Sequence, residues 1–380
     1  MAIKRSYEEV NQKIKDGKAV VMTAEEISAM AKELPPDEIM KKVDVVTTAT
    51  FGAMCSSGVF LNFGHANPPI KMKRVWLNNV LAYAGIAAVD AYIGATELSE
   101  HDAKYGGAHV IEQLLKGDKI KLKAYADATD CYPRKEIESE ISLDSINEAI
   151  MFNPRNAYQN YNVAINTTNK TKHTYMGTLL PNSGNATYST SGELSPLLND
   201  PEFRVIGIGT RIFLGGAQGY IAWNGTQFTT SKPKNKAGVP VSNAATLSVV
   251  GDLKKMSPDY IKAAYFEKYG VSMFVGIGIP IPILDEDVAR SVSIRNEQIE
   301  TTIMDYGKHP VTGVGNTNYK ELQSGFIRLN GKKIRTAPVS SLYKARVIAE
   351  TLKKMILKGE FLLSAPLESL MPKGPLNSLR

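Results

Sequence analysis

Apolar and polar positions along the chain follow two periods, and the changes of period mark the elements. Ser6-Tyr-Glu-Glu9 and Thr23-Ala-Glu-Glu26 each set a glutamate three residues after a hydroxyl, the pattern of a capping box. The first helix should end near Gly17, and Pro35-Pro36 should close the second. Ala19 to Met22 reads as a short strand between them. The β-branched run Val43-Asp-Val-Val-Thr-Thr48 reads as a buried strand. Lys73 to Val80 and Ala91 to Thr96 look like further strands. Gly106 to Gly117 carries Val110, Ile111, Leu114 and Leu115 at helical spacing, and Lys119 to Ala126 then alternates as a strand.

From Asn153 to Gly238 the periods fade, and Asn, Thr, Gly and Tyr become dense. An antiparallel β region is expected there, with loops at Asn182 to Ser195 and Asn224 to Val239. Further on, Ser257-Pro258 and Gly270 bracket an expected helix over 258–269. Val271 to Ile283 reads as a buried strand broken by Pro280 and Pro282. Phe326 to Arg335 reads as a hairpin turning at Asn330-Gly331. Ser341 to Lys358, with Leu342, Ala345, Ala349, Leu352 and Ile356 on one face and Gly359 after it, reads as a long amphipathic helix. The stretch from Ala365 has the composition of a packed or frayed tail.

These elements define a mixed α/β (α+β) class: one large globular unit with an antiparallel β-rich middle and peripheral helices. Three portions follow from the composition: 1–152, an α/β part with both cysteines; 153–256, rich in Gly, Asn and Thr; and 257–380. With 380 residues, 43% hydrophobic and 22% charged, they read as one closely packed catalytic domain. The net charge is +7, but the lysines are scattered and no basic block is interleaved with aromatics. The charge suits solubility or an acidic substrate or protein, and no nucleic-acid module is recognisable. No apolar run approaches the ~20 residues that span a bilayer. The start MAIKRSYEEV lacks a leader's apolar segment, so no membrane and a cytoplasmic location are expected.

The candidate chemistry is concentrated at two cysteines, the full count for the chain. Cys55 follows the Val43–Thr48 strand among small residues, Ala53, Ser56, Ser57 and Gly58. It reads either as a nucleophilic thiol approached by main-chain amides or as a buried structural cysteine. Cys131 lies in Asp127-Ala-Thr-Asp-Cys-Tyr-Pro-Arg134, either a reactive segment or a polar turn. The two segments are expected to meet in one pocket and do sulfur chemistry. His65 is a candidate acid or base, or a loop histidine held by backbone. Arg211, bracketed by Gly207-Ile-Gly209 and Gly215-Gly216, offers an anion site, although the glycines equally suit tight turns. Ile212 stands where a dinucleotide fingerprint needs glycine. No CxxC, HxH or HExxH spacing occurs, so no metal site is expected. Two cysteines cannot supply four thiolates to an iron–sulfur cluster.

Four segments carry a resemblance to a known family: TATFGAMCSSGVFLNFGHANPP, DATDCYPRKE, NYNVAINTTNKTKHTYMGTLLPNSGNATYS and IGIGTRIFLGGAQGYIAWNGTQ. Together they resemble the homocysteine-biosynthesis family, also called L-aspartate semialdehyde sulfurtransferases, over nearly the whole chain. The resemblance implies that L-aspartate semialdehyde, sulfur from sulfide or a persulfide donor and two electrons give L-homocysteine. It implies that Cys55 and Cys131 are the important cysteines. Members often carry CBS domains or work beside a ferredoxin-type protein. This chain ends at Arg380 without either, so a separate ferredoxin-type electron donor is expected. No bound cofactor is expected, and a homo-oligomer is compatible with the pattern. In this frame one cysteine carries the persulfide, with Cys131 preferred, and the other resolves it. Arg134 or Arg211 would hold the substrate carboxylate, and Asp127 or Asp130 its ammonium. Two rival readings stand beside this one. The first is an iron–sulfur-assisted transferase whose cluster is shared between subunits or held partly by other ligands. The second is a non-enzymatic cysteine redox or sulfur-carrier module.

Overall fold

A computed structural model describes residues 4–379; Met1 to Ile3, part of the stretch read for a leader segment, and Arg380 lie outside them. Both capping boxes form as written. Ser6 and Glu9 close the first turn of the helix Tyr7–Lys15, and Thr23 and Glu26 that of Ala24–Met30. The second helix stops at Met30, short of the Pro35-Pro36 expected to close it, and Pro36 opens a third, Pro36–Lys42. A proline at the first helical position loses no hydrogen bond, which is why a helix can start there.

The largest sheet has ten strands, and its longest is Gly270–Pro282. One edge of that strand pairs antiparallel with Val45–Ala53 along its whole length, from Ala53 opposite Phe274 to Val45 opposite Pro282. The prolines do not break it. The Ile283 amide donates toward Asp44 and the Gly276 amide toward Tyr260, so even-numbered residues face away from Val45–Ala53. On that side the neighbouring strand Arg211–Leu214 pairs only with Gly278 and Ile277. The amides that Pro280 and Pro282 lack would therefore have no ladder partner.

Tyr260 belongs to a second surprise. The segment expected as a helix over 258–269 is instead the strand Ile261–Phe266, each residue paired with Gly270–Val275. Ser257 caps a turn, accepting from the Asp259 amide at 3.1 Å, rather than a helix.

The sheet is curled. Val45–Ala53 and Gly58–Asn62 are consecutive in the chain, yet five strands separate them in the sheet order. Laid flat, that separation is ~29 Å at ~4.8 Å per strand. The connection from Ala53 to Gly58 reaches at most ~19 Å at ~3.8 Å per residue. The sheet must bend until its two ends approach each other across Met54 to Ser57. The helix Gly107–Leu115 fills the seam: it touches Ile261–Phe266 and Gly270–Pro282 at one end, Gly58–Asn62 and Asp90–Gly94 at the other. Its Val110, Ile111 and Leu114 are buried in the main core, and Glu112 accepts from the Ala263 amide at 2.8 Å.

Helix Leu342–Leu357 lies across Val45–Ala53 and Gly270–Pro282 on another face, capped by Ser341. A Cβ at Gly276 would stand 2.7 Å from Ile348 Cδ1, and one at Gly278 3.1 Å from Leu352. The two glycines let the helix sit close on the sheet.

The expected antiparallel middle region is divided between sheets and is not purely antiparallel. Arg211–Leu214, Ala217–Asn224 and Leu247–Asp252 extend the main sheet. Val163–Ile165 and Asn185–Tyr188 join a six-stranded sheet, where they run parallel to Glu300–Asp305 and Lys332–Pro338. The boundary drawn after residue 152 falls inside the strand Glu148–Asn156, and the main sheet takes strands from all three portions. Lys73 to Val80 is a hairpin rather than one strand, turning at Asn78-Asn79, both at positive φ. With Ile120–Tyr125 and Glu136–Ile141 it makes a separate four-stranded sheet. The Asn330-Gly331 hairpin and the Leu342–Leu357 helix form where the pattern put them. Residues Glu368–Ser369 of the tail pair with Gly207–Ile208.

Candidate functional site

Cys55 sits at the closing point of the curled sheet. Its turn is stitched on both sides: the Met54 amide donates to Met273 O at 2.7 Å, and the Ala95 amide to Ser57 O at 2.8 Å. Asn153, fully buried, clamps the two serines that follow. Its Nδ2 donates to Ser57 Oγ at 2.6 Å, and its Oδ1 accepts from Ser56 Oγ at 3.0 Å and from the Arg155 amide at 2.8 Å. The sulfur itself is half-buried, with Ser272 Oγ 3.2 Å away.

Cys55 lines a small cavity of about 80 Å³ where the main sheet meets the six-stranded sheet and the hairpin Lys172–Leu179. Ala53, Ser56 and Arg155 form one wall; Tyr158, Tyr161, Tyr175 and Met176 form another; Ser189 and Val339 complete it. The tyrosines make a connected cage. Tyr158 meets Tyr161 edge-on at 4.8 Å, and Tyr175 lies within 6.4 Å of Tyr161, Tyr269 and Tyr306. The Tyr175 and Tyr306 hydroxyls are 2.8 Å apart. Burial first, and the neighbouring Cys55 sulfur next, push the Tyr269 hydroxyl up to about 12. Tyr158 is also pushed up to about 12 by burial, with Arg155 opposing the rise. These hydroxyls are uncharged at neutral pH and donate hydrogen bonds.

Cys131 is elsewhere. It is exposed, on the loop between Ile120–Tyr125 and Glu136–Ile141, with Thr129 Oγ1 3.6 Å from its sulfur. That loop docks on residues 65–69: the His65 and Tyr132 rings are 6.1 Å apart, and Arg134 donates to Asn67 O at 2.8 Å. His65 lies past the far end of Gly58–Asn62, a strand that carries the chain ~13 Å away from Cys55 at ~3.3 Å per step. A single chain therefore does not bring the two cysteines into one pocket, contrary to expectation. The strand register, not the loop sequence, decides this.

The remaining candidates also lie apart from Cys55. Arg211 is tied to the C-terminal segment, donating to Leu362 O at 3.0 Å, while its amide donates to Ser364 Oγ. Gly215 and Gly216 are the positive-φ turn between Arg211–Leu214 and Ala217–Asn224; a Cβ on either would run into Met256, Ile261 or Tyr260. Asp127 pairs with Lys73 at 2.6 Å in the open, beside a cleft of about 440 Å³. Asp130 and His65 are exposed. That cleft is larger than the Cys55 cavity, but it is an open surface feature lined by neither cysteine. Among the described residues no group of three or more His, Cys, Asp or Glu gathers, so neither cysteine has partners within the chain for an iron–sulfur cluster. No helix among them is long and apolar enough to cross a membrane.

A half-buried thiol facing a small polar cavity is an arrangement that nucleophilic cysteine chemistry can use. Residues 19–363 match the family model described as "Homocysteine biosynthesis enzyme, sulfur-incorporation", and the chain belongs to this family. It is 50% identical to the L-aspartate semialdehyde sulfurtransferase of Methanosarcina acetivorans, covering 100% of this chain and 74% of that protein. It is also 50% identical to the enzyme of that name from Methanocaldococcus jannaschii, over 97% of this chain and 74% of that protein. An uncharacterized protein of Methanothermobacter thermautotrophicus is 28% identical over 85% of the chain and 73% of its own length. No solved structure matches the chain.

Proposed function

We propose that the chain is a sulfurtransferase that turns L-aspartate semialdehyde into L-homocysteine, with the Cys55 cavity as the place where the aldehyde carbon changes partners. The observation that carries the site is the Cys55 sulfur itself, which lines a cavity of about 80 Å³ and has neutral hydroxyls next to it outside the lining, Ser272 at 3.2 Å and Tyr269 beside it.

The Cys55 thiolate adds to the aldehyde carbon, and the C=O π pair moves to oxygen. That oxygen takes a proton from a hydroxyl of the cage, Tyr269 being the one beside the sulfur. Loss of the oxygen as water and attack by hydrosulfide place two sulfurs on the carbon. Departure of the Cys55 thiolate leaves a C=S group. Two electrons and two protons, from a separate electron-transfer protein, convert it to the thiol. The sum is R–CHO + H₂S + 2e⁻ + 2H⁺ → R–CH₂SH + H₂O.

Cys131 enters at the supply end. Its exposure suits contact with a donor protein, and a persulfide there yields hydrogen sulfide and the free thiol on taking up two electrons and two protons. This differs from a disulfide relay, for which the thiols would have to meet.

The test is homocysteine formation by purified protein supplied anaerobically with L-aspartate semialdehyde, sulfide and a reductant. Cys55→Ser should form none while keeping its circular dichroism spectrum. Tyr269→Phe should lower kcat by about 10²-fold, the lower range for loss of a positioned proton donor. Turnover by Cys55→Ser at the native rate would remove the reading.

A further inference from the structure

We infer that Arg155 is the residue that takes the substrate's α-carboxylate, making the Cys55 cavity selective for anionic aldehydes; the inference rests on the function proposed above. Arg155 is the single charged side chain among those lining the cavity. It is half-buried and makes no ion pair among the described residues. A guanidinium there without a counter-charge within the described residues is open to a ligand anion, and a bidentate carboxylate is the partner its planar fork fits.

The side chain is held for that purpose. Its Nε donates to Thr226 Oγ1 at 3.0 Å, and the Thr226 amide is fixed in turn on Pro154 O at 2.8 Å. This leaves the two terminal nitrogens for the cavity, which Tyr158 also lines. The Arg155 backbone is bound through Asn153 and Ser56 to the same turn that carries Cys55. Carboxylate anchor and sulfur therefore share one rigid support.

The alternatives named from sequence do not line the cavity: Arg134 lies against Asn67 O and Arg211 against Leu362 O. Size agrees as well. At ~10–15 Å³ of such space per water, the cavity of about 80 Å³ holds roughly six waters, the bulk of a four-carbon amino-acid aldehyde. No carboxylate lines it, so the substrate ammonium would face the neutral oxygens of the cage and Ser189.

The two cysteines supply an experiment with its own internal reference. Iodoacetate carries the anion and iodoacetamide does not, and alkylation at each cysteine is read separately by peptide mass spectrometry. At Cys55 the iodoacetate-to-iodoacetamide rate ratio should exceed that at exposed Cys131. In Arg155→Gln the Cys55 ratio should fall at least about tenfold, the scale of one lost charge-assisted hydrogen bond, while the Cys131 ratio stays put. Arg155→Lys, which keeps the charge without the fork, should recover part of it. In turnover, Arg155→Gln should raise KM for L-aspartate semialdehyde by a similar factor and change kcat less. Unchanged ratios and an unchanged KM overturn the inference. A ratio that falls in a protein forming no homocysteine keeps the anion site and rejects the sulfurtransferase reading instead.

Discussion

The side-chain amide of Asn153 donates to Ser57 Oγ at 2.6 Å from a position with no solvent exposure, and its oxygen holds Ser56 at 3.0 Å. One residue on Glu148–Asn156 thus fixes the turn that presents Cys55. Asn153→Ala would leave Ser57 and the Arg155 amide short of partners in the interior. The expected loss of stability is about 1–3 kcal/mol per group left unsatisfied. Asn153→Asp keeps the shape and the acceptor but loses the donor to Ser57, so it should fall between. Urea denaturation followed by circular dichroism measures both. Homocysteine formation should drop further than stability does, because the turn is displaced even where the fold holds. Two variants as stable and as active as the native chain would show the clamp to be dispensable.

The tyrosine cage sets a limit at high pH. Burial pushes Tyr158 up to about 12 from an ordinary 10.0, and raises Tyr161 and Tyr306 as well. Above pH ~10 the unfolded chain releases protons that the native state keeps, so stability declines as pH rises. The contribution is intact below pH ~10 and is lost through the interval up to ~12. The denaturation midpoint should be level from pH 8 to ~9.5 and then fall, with the buried tyrosines' share of the phenolate absorbance at about 295 nm appearing together with unfolding. Tyr158→Phe with Tyr161→Phe should make that decline shallower. A midpoint unchanged to pH ~11 would contradict the burial of the cage.

How much of this was legible beforehand depended on range. The capping boxes at Ser6 and Thr23, the Asn330-Gly331 turn and the Leu342–Leu357 face all depend on residues within a few positions of one another, and all form as read. Ser257-Pro258 and Gly270 were equally local signals, but six ladder pairs to Gly270–Val275 outweigh them, a case of tertiary pairing overriding propensity. Cys55 could be singled out as a candidate from its small neighbours. Its cage could not, because Tyr158, Tyr175, Tyr269 and Tyr306 come from four separate segments and no spacing links them. Arg155 was hidden for the same reason: nothing within a few residues distinguishes it from Arg134, and only the curl of the sheet decides which arginine faces the thiol. The density of Tyr and Asn between 153 and 189 was the available signal, and it marked a region without assigning a role.

The contact between Gly276 and Ile348 offers a check on the packing of the long helix. A methyl at Gly276 would meet Ile348 Cδ1 at 2.7 Å and Tyr260 at 3.3 Å. Gly276→Ala should therefore destabilise by about 1–3 kcal/mol through overpacking. Because the nearest atom is the tip of a side chain, Ile348→Val in the same chain should recover part of the loss, although it costs about 0.5–1.5 kcal/mol alone. A double-mutant cycle in urea gives the coupling directly. Strict additivity of the two changes would mean that the helix does not press on the sheet at this glycine.

The separation of Cys131 from Cys55 makes the two thiols distinguishable by the sulfur source. Cys55 lines the cavity and Cys131 is exposed on a loop of another sheet, so in the proposed reaction the aldehyde step needs the first whatever the supply. If Cys131 receives sulfur from a donor, its removal matters only when sulfur arrives bound to that donor. With millimolar sulfide and a chemical reductant, Cys131→Ser should retain most of the native rate and Cys55→Ser none. With a persulfidated donor protein in place of sulfide, both should be inactive, and intact-mass analysis of Cys55→Ser exposed to that donor should find one added sulfur, mapped to Cys131. The unfavourable result is equally clear. Loss of the sulfide-driven reaction in a folded Cys131→Ser would require Cys131 to act at the aldehyde, and hence a second copy of the chain or a large movement of the 126–135 loop to bring it to Cys55.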